Sequence, residues 1–158
     1  MDHVDEILRQ WRSERPELDT SSMGLIGRLS RVSAQFATEM DKTFRVFGLN
    51  AAGFDVLATL RRSGAPFALS PGDLIAATMV TSGTMTNRID RLSEAGLVER
   101  IKNPEDSRSA LVRLTPRGHD LIDKAVEAHV ETQQRLLEPL DERDRQDLVK
   151  LLRKLGVN

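Results

Sequence analysis

The sequence predicts a mainly α-helical fold with a small β-wing: a winged helix-turn-helix carried between long terminal helices. Apolar residues recur every three or four positions along most of the chain, the spacing that lines one face of a helix. Two short helical segments follow one another closely between Ser70 and Gly96. Two β-prone runs, 97–102 and 110–114, come next and are joined by a polar loop.

Asp2 caps a short helix bearing Val4, Ile7, Leu8 and Trp11, and Pro16 marks its end, so 1–16 forms an extra amino-terminal helix. Thr20 or Ser21 caps a long helix with Leu25, Leu29, Val32, Phe36, Met40, Phe44 and Phe47 on one stripe, stopped by Gly48. Asn50 opens a helix to about Arg62, and Ser63-Gly64-Ala65-Pro66 breaks it. Phe67 to Leu69 is long enough only for one strand of a minor sheet. In Ser70-Pro71-Gly72-Asp73 the serine caps, the proline takes the first helical position and the aspartate reaches back, so a helix begins there and ends near 78–80. Thr81 or Ser82 caps the next helix, which carries Met85, Ile89 and Leu92 and ends at Gly96. The loop 103–109 contains a turn-forming proline and joins the two strands as a wing-like hairpin. Thr115-Pro116 starts a long helix to about Glu138, Pro139 interrupts, and Asp141 caps a last helix with Leu148, Leu151, Leu152 and Leu155.

Composition sets the limits. The chain has 158 residues, 39% of them hydrophobic, which suits one core and a single domain over 1–158. Only 4% are aromatic while 30% are charged, a balance of helix-rich soluble proteins rather than of β-sandwiches. No apolar run approaches the roughly 18 residues of a membrane span, and the first residues fit neither a signal nor a transit peptide. No membrane association and a cytoplasmic location are therefore expected. Absence of cysteine excludes disulfides, thiol redox sensing and cysteine-bound zinc. His3, His119 and His129 lack metal-site spacing and read as solvated helix residues, so no metal or cofactor is expected. With no glycine-rich phosphate loop and no nucleophile motif, an enzyme is disfavoured. The net charge is −1, yet Arg61 to Arg117 holds nine basic against six acidic residues, a positive centre between acidic ends.

From Leu69-Ser70-Pro71-Gly72-Asp73-Leu74 through Gly96-Leu97-Val98-Glu99-Arg100, then Asp106-Ser107-Arg108 and Leu114-Thr115-Pro116-Arg117-Gly118, the chain resembles the MarR family of transcription regulators. The wing pattern, Asp106-x-Arg108 followed by Val112-x-Leu114-Thr115-x-x-Gly118, is its most specific part. The resemblance implies a DNA-binding lobe over 50–115 and dimerisation helices over 20–48 and 116–158. On a helical wheel Met85, Ile89 and Leu92 face inward and Gly83, Thr84, Asn87, Arg91 and Glu94 outward. Small and polar residues at the amino end let it enter a major groove, where Asn pairs with adenine and Arg with guanine. Ser82, Thr84, Thr86, Asn87 and Arg91 are the candidate base and phosphate contacts, and Arg108 a candidate for a narrow minor groove, with Asp106 steadying it by a salt bridge. The long amphipathic end helices offer more apolar stripe than such a lobe can cover, which predicts a two-fold homodimer on a palindromic, double-stranded operator.

A finer likeness joins Trp11, Arg15-Pro16-Glu17-Leu18-Asp19 and the segment Phe54 to Gly64 to the urate-responsive branch of the family. It implies an effector that is small and anionic or aromatic, of the urate or carboxylate class, held by Trp11, Asp55, Arg88 and Arg100. Trp11 as a packing residue and Asp55 with Arg88 as a plain ion pair is the structural alternative. A winged-helix dimer acting mainly as a protein-interaction module, without ligand sensing, is the functional one; Asn87, Arg91 and Arg108 together speak for DNA.

Overall fold

The computed structural model describes residues 2–78, 82–106 and 108–156, with Ser82 described only in its backbone. The predicted Thr81 cap lies outside these residues, as does the side chain of Ser82. The chain divides into two compact units, Met1–Glu39 and Met40–Asn158.

In the first unit, helix α1 (His3–Glu14) begins in a reciprocal capping box between Asp2 and Asp5. It is followed by the opening turns of α2 (Ser21–Val46). Val4 is buried, and a Cβ at Gly24 would lie 2.8 Å from Leu8 Cδ1. The absent side chain at Gly24 is thus what lets α1 approach α2. Arg28 seals this contact, donating to Asp2 Oδ2 at 2.8 Å and to Asp5.

The second unit contains the end of α2 and helices α3 (Ala51–Arg62), α4 (Pro71–Thr78), α5 (Ser82–Glu94), α6 (Pro116–Leu136) and α7 (Glu142–Lys154). Strands β1 (Ala68–Leu69), β2 (Val98–Lys102) and β3 (Ala110–Leu114) form an antiparallel sheet in the order β1-β3-β2. The core is where α3, α4, α5, α6 and the sheet converge: Val56, Leu57, Leu60, Leu74, Met85, Ile89, Val112 and Ile122 are essentially inaccessible to water. At about 1.5–3 kcal/mol for each large aliphatic side chain, their burial is the main force that fixes the lobe.

Local signals explain the boundaries. Asn50 accepts from the Gly53 N–H at 2.8 Å and caps α3. Ser70 and Asp73 exchange hydrogen bonds around Pro71 at the start of α4. Thr115 accepts from the Gly118 N–H and caps α6, while Asp141 and Asp144 form a capping box on α7. Gly48 and Gly96, with φ of 68° and 71°, take the left-handed geometry that ends α2 and α5. Gly118 has a steric role: a Cβ there would sit 1.9 Å from the Leu97 carbonyl oxygen.

The structure differs from the sequence expectation at three places. His119 and His129 are half-buried against aromatic rings rather than fully solvated: His119 meets the Phe67 ring edge-on at 4.9 Å, and His129 packs against Phe44 and Phe54, which stack on each other, with centroids at 5.2 and 4.8 Å. Burial lowers the His129 pKa from its ordinary value. Phe67 is not in the strand; its φ of 58° is left-handed, a conformation that costs a non-glycine residue about 1–3 kcal/mol unless its surroundings hold it. Asp106 steadies the wing through the backbone, accepting from the Arg108 N–H at 3.0 Å, rather than by a salt bridge to the Arg108 guanidinium.

Candidate nucleic-acid interface

Helix α5 is fixed by what it buries. Met85, Ile89 and Leu92 are all 6% exposed or less, and their spacing turns the opposite face outward. Gly83, Thr84, Thr86, Asn87 and Arg91 are exposed on that face. Tight packing on one side and short polar side chains on the other give a rigid rod that presents hydrogen-bonding groups without steric bulk at its amino end.

The wing lies after α5 in the same lobe. Its tip is tied by Asn103 Nδ2 donating to Ser109 Oγ at 3.0 Å, by the Asn103 N–H donating to the Ser109 carbonyl at 3.1 Å, and by the Asp106 contact to the Arg108 amide. Its base is tied by Arg113 and Glu99, paired across the strands at 2.7 Å. Arg108 is exposed, and a depression of about 330 Å³ lined by Arg100, Lys102 and Arg108 sets three cations along one side of the hairpin. Sequence reasoning missed Lys102. The alternation of a strand, which puts residues 100 and 102 on one face, was the signal available.

Beside α5 a cavity of about 640 Å³ opens between the α2–α3 turn and the helix. Its floor is apolar, with Leu49, Leu92 and Leu97, and Asn50, Asn87, Arg88 and Arg91 supply the polar groups. Arg88 is half-buried and Arg91 exposed, and neither guanidinium has a carboxylate partner among the described residues. Of the four residues expected to hold an effector, this cavity contains Arg88 alone. Asp55 is half-buried on α3 and forms no ion pair with Arg88 among the described residues, which removes the simple pairing left open by the sequence. Arg100 is already engaged, with Nη2 2.7 Å from Asp90 Oδ1, a partner that sequence reasoning missed. Trp11, on α1 in the other unit, is 38% exposed. No group of three or more metal-binding side chains occurs among the described residues, and none of their helices is long and apolar enough to cross a membrane.

Known proteins match this architecture. The MarR family profile matches residues 47–109, the lobe from the end of α2 to the wing tip. The HTH-type transcriptional regulator PecS of Dickeya dadantii is 45% identical over 149 residues, covering 94% of this chain and 90% of that protein. A MarR mutant of E. coli solved with operator DNA superimposes with a TM-score of 0.73 at 26% identity, over 92% of this chain and 97% of the other. BpsR of Bordetella bronchiseptica, whose DNA binding is regulated by 6-hydroxynicotinic acid, gives a TM-score of 0.73 at 30% identity, over 89% and 97% of the two chains. A helix with a buried apolar stripe and a polar outer face, a basic hairpin, and a full-length relative at this identity lead to one conclusion: the chain belongs to the MarR family of winged-helix, DNA-binding transcription regulators.

Proposed function

We propose that this regulator is a repressor that binds a palindromic operator as a homodimer and leaves it when a small anionic effector binds. The observation that carries the reading is the outer face of α5, where Thr84, Thr86, Asn87 and Arg91 are exposed opposite a fully packed stripe. With Ser82, these residues read the major groove, and Arg108 of the wing enters the neighbouring minor groove. Homodimerisation follows from apolar side chains left in water: Leu25, Ile26 and Leu29 on α2 and Leu148, Leu151 and Leu155 on α7 are 39–66% exposed. A second copy covers such stripes, and two-fold symmetry then sets two α5 helices about one turn of DNA apart.

Effector release is supported by Arg88, a half-buried cation without a carboxylate partner among the described residues, on the same helix as the DNA-facing groups. The effector is of the urate or carboxylate class, held by Arg88 with Trp11, Asp55 and Arg100, as the likeness to the urate-responsive branch implies. The planar, anionic effector of BpsR, 30% identical, is of similar chemistry.

A fluorescence titration against the DNA upstream of the chain's own gene tests both halves. Tight, salt-sensitive binding that urate, citrate or 6-hydroxynicotinate reverses is the expected result. Binding that none of the three weakens would leave a DNA-binding regulator without this effector class, and calorimetry on Arg88→Ala locates whatever binding is found.

A further inference from the structure

Phe67 is held from three directions. The Arg61 guanidinium lies over its ring, 5.1 Å from the centroid. His119 of α6 meets the ring edge-on at 4.9 Å. Its own N–H donates to the Gly64 carbonyl at 2.7 Å, and its carbonyl accepts from the Leu114 N–H at 3.1 Å.

Arg61 is itself oriented by Asp123, one turn beyond His119 on α6. Arg61 Nε lies 2.6 Å from Asp123 Oδ1 and Nη2 3.4 Å from Oδ2, a two-pronged contact that fixes the plane of the guanidinium. His119 Nδ1 approaches the same carboxylate at 3.6 Å. A continuous line of contacts therefore runs from Asp123 to Arg61, to Phe67, and into the sheet. Leu114 is the last residue of β3, and the two residues after Phe67, Ala68 and Leu69, pair with Arg113 and Val112 of the same strand. Strand β3 carries β2 in register and, with it, the hairpin that holds Arg108.

A strand of two residues has too few backbone bonds to fix its own direction, so the attitude of β1 is decided at Phe67. Half-exposed ion pairs contribute little to overall stability, which makes orientation rather than stability the property this contact controls. We propose that Asp123 is a positioning residue for DNA binding: acting through Arg61 and Phe67, it holds β1 and β3 so that the wing meets the duplex at the right angle. The proposal rests on the reading that Arg108 touches DNA.

The test is a double-mutant cycle in anisotropy titrations against the upstream DNA, using the full chain. Asp123→Asn is expected to weaken binding about tenfold; combined with Arg108→Ala it adds nothing further, whereas combined with Asn87→Ala the two losses multiply. If Asp123→Asn binds as wild type, or its loss multiplies with that of Arg108→Ala, the proposal is wrong while the wing contact stands. If Arg108→Ala alone binds as wild type, the wing reading falls and the proposal with it. Hydrogen exchange gives a readout that a stabilising role would not move: the Leu114 amide exchanges faster in Asp123→Asn while the β2–β3 amides keep their wild-type rates. Unchanged exchange at Leu114 overturns the proposal. Arg61→Lys, which keeps the charge and loses the planar fork, repeats both measurements if Asp123→Asn does not fold.

Discussion

Single residues divide sharply into those whose role is local and those whose role depends on distant partners. The caps at Asp2, Asn50, Ser70, Thr115 and Asp141 were legible because each partner lies three residues away. His129 was not, since the rings of Phe44 and Phe54 reach it from elements far off in the chain. The Arg61–Asp123 contact, spanning 62 residues, was hidden for the same reason. Gln133 Nε2 lies 2.9 Å from His129 Nε2, and an amide nitrogen only donates, so in this orientation the neutral ring carries its proton on Nδ1, which is buried without a partner. The pH dependence follows. Because burial lowers the folded pKa below the ordinary 6.5, the contribution of His129 is complete above 6.5 and is lost as pH falls through the folded value. Urea unfolding at pH 7 and pH 5 should show a larger drop in midpoint for wild type than for His129→Leu. Gly118 sets a second, purely steric expectation. Adding a methyl 1.9 Å from the Leu97 carbonyl oxygen forces backbone to move, so Gly118→Ala should lose about 2 kcal/mol or more in denaturant titrations.

At the scale of elements, the order of helices and strands could be read from periodicity and turn residues, because the helices repeat apolar residues at three- and four-residue spacing and most of their ends carry a cap, glycine or proline. The extent of β1, the turn that leads into it and the docking of α1 were harder. Phe67 takes a backbone geometry that its residue type disfavours, and α1 is seated by an absence, the missing Cβ of Gly24. The exposed polar face of α5 was legible from the wheel, whereas the exposed Asp90 that engages Arg100 gave no periodic signal. Asn50→Ala removes the α3 cap and should cost about 1 kcal/mol of stability. Asn87→Ala should weaken operator binding by about 1–3 kcal/mol and relax base preference at one position of each half-site, whereas Arg108→Ala should also lower the salt dependence. Binding-site selection on the variants, at two salt concentrations, separates these effects.

For the whole molecule, the balance of apolar area is decisive. One lobe closes around Leu57, Leu60, Met85 and Ile122, while the stripes of α2 and α7 stay in contact with water. The excess was readable in sequence as more amphipathic helix than a small lobe can use. Leu151→Asp with Leu155→Asp should shift sedimentation from dimer to monomer and reduce operator affinity by more than any single contact residue does, since two linked half-sites are lost together. A wild-type chain that sediments as a monomer at micromolar concentration would refute the dimeric reading.

The Asp90–Arg100 pair gives the effector question a different form. An anion that takes Arg100 does not fill a vacancy; it exchanges with a carboxylate already in place. Both side chains are about half-exposed, so their pairing is worth about 0–1 kcal/mol and the swap is inexpensive. Each exchange also removes one polar tie between α5 and β2, whose apolar packing stays in place. If the proposed effector binds at Arg100, its occupancy and the loss of this tie between α5 and its hairpin are two faces of a single substitution equilibrium, and lowering the charge at residue 90 should favour both.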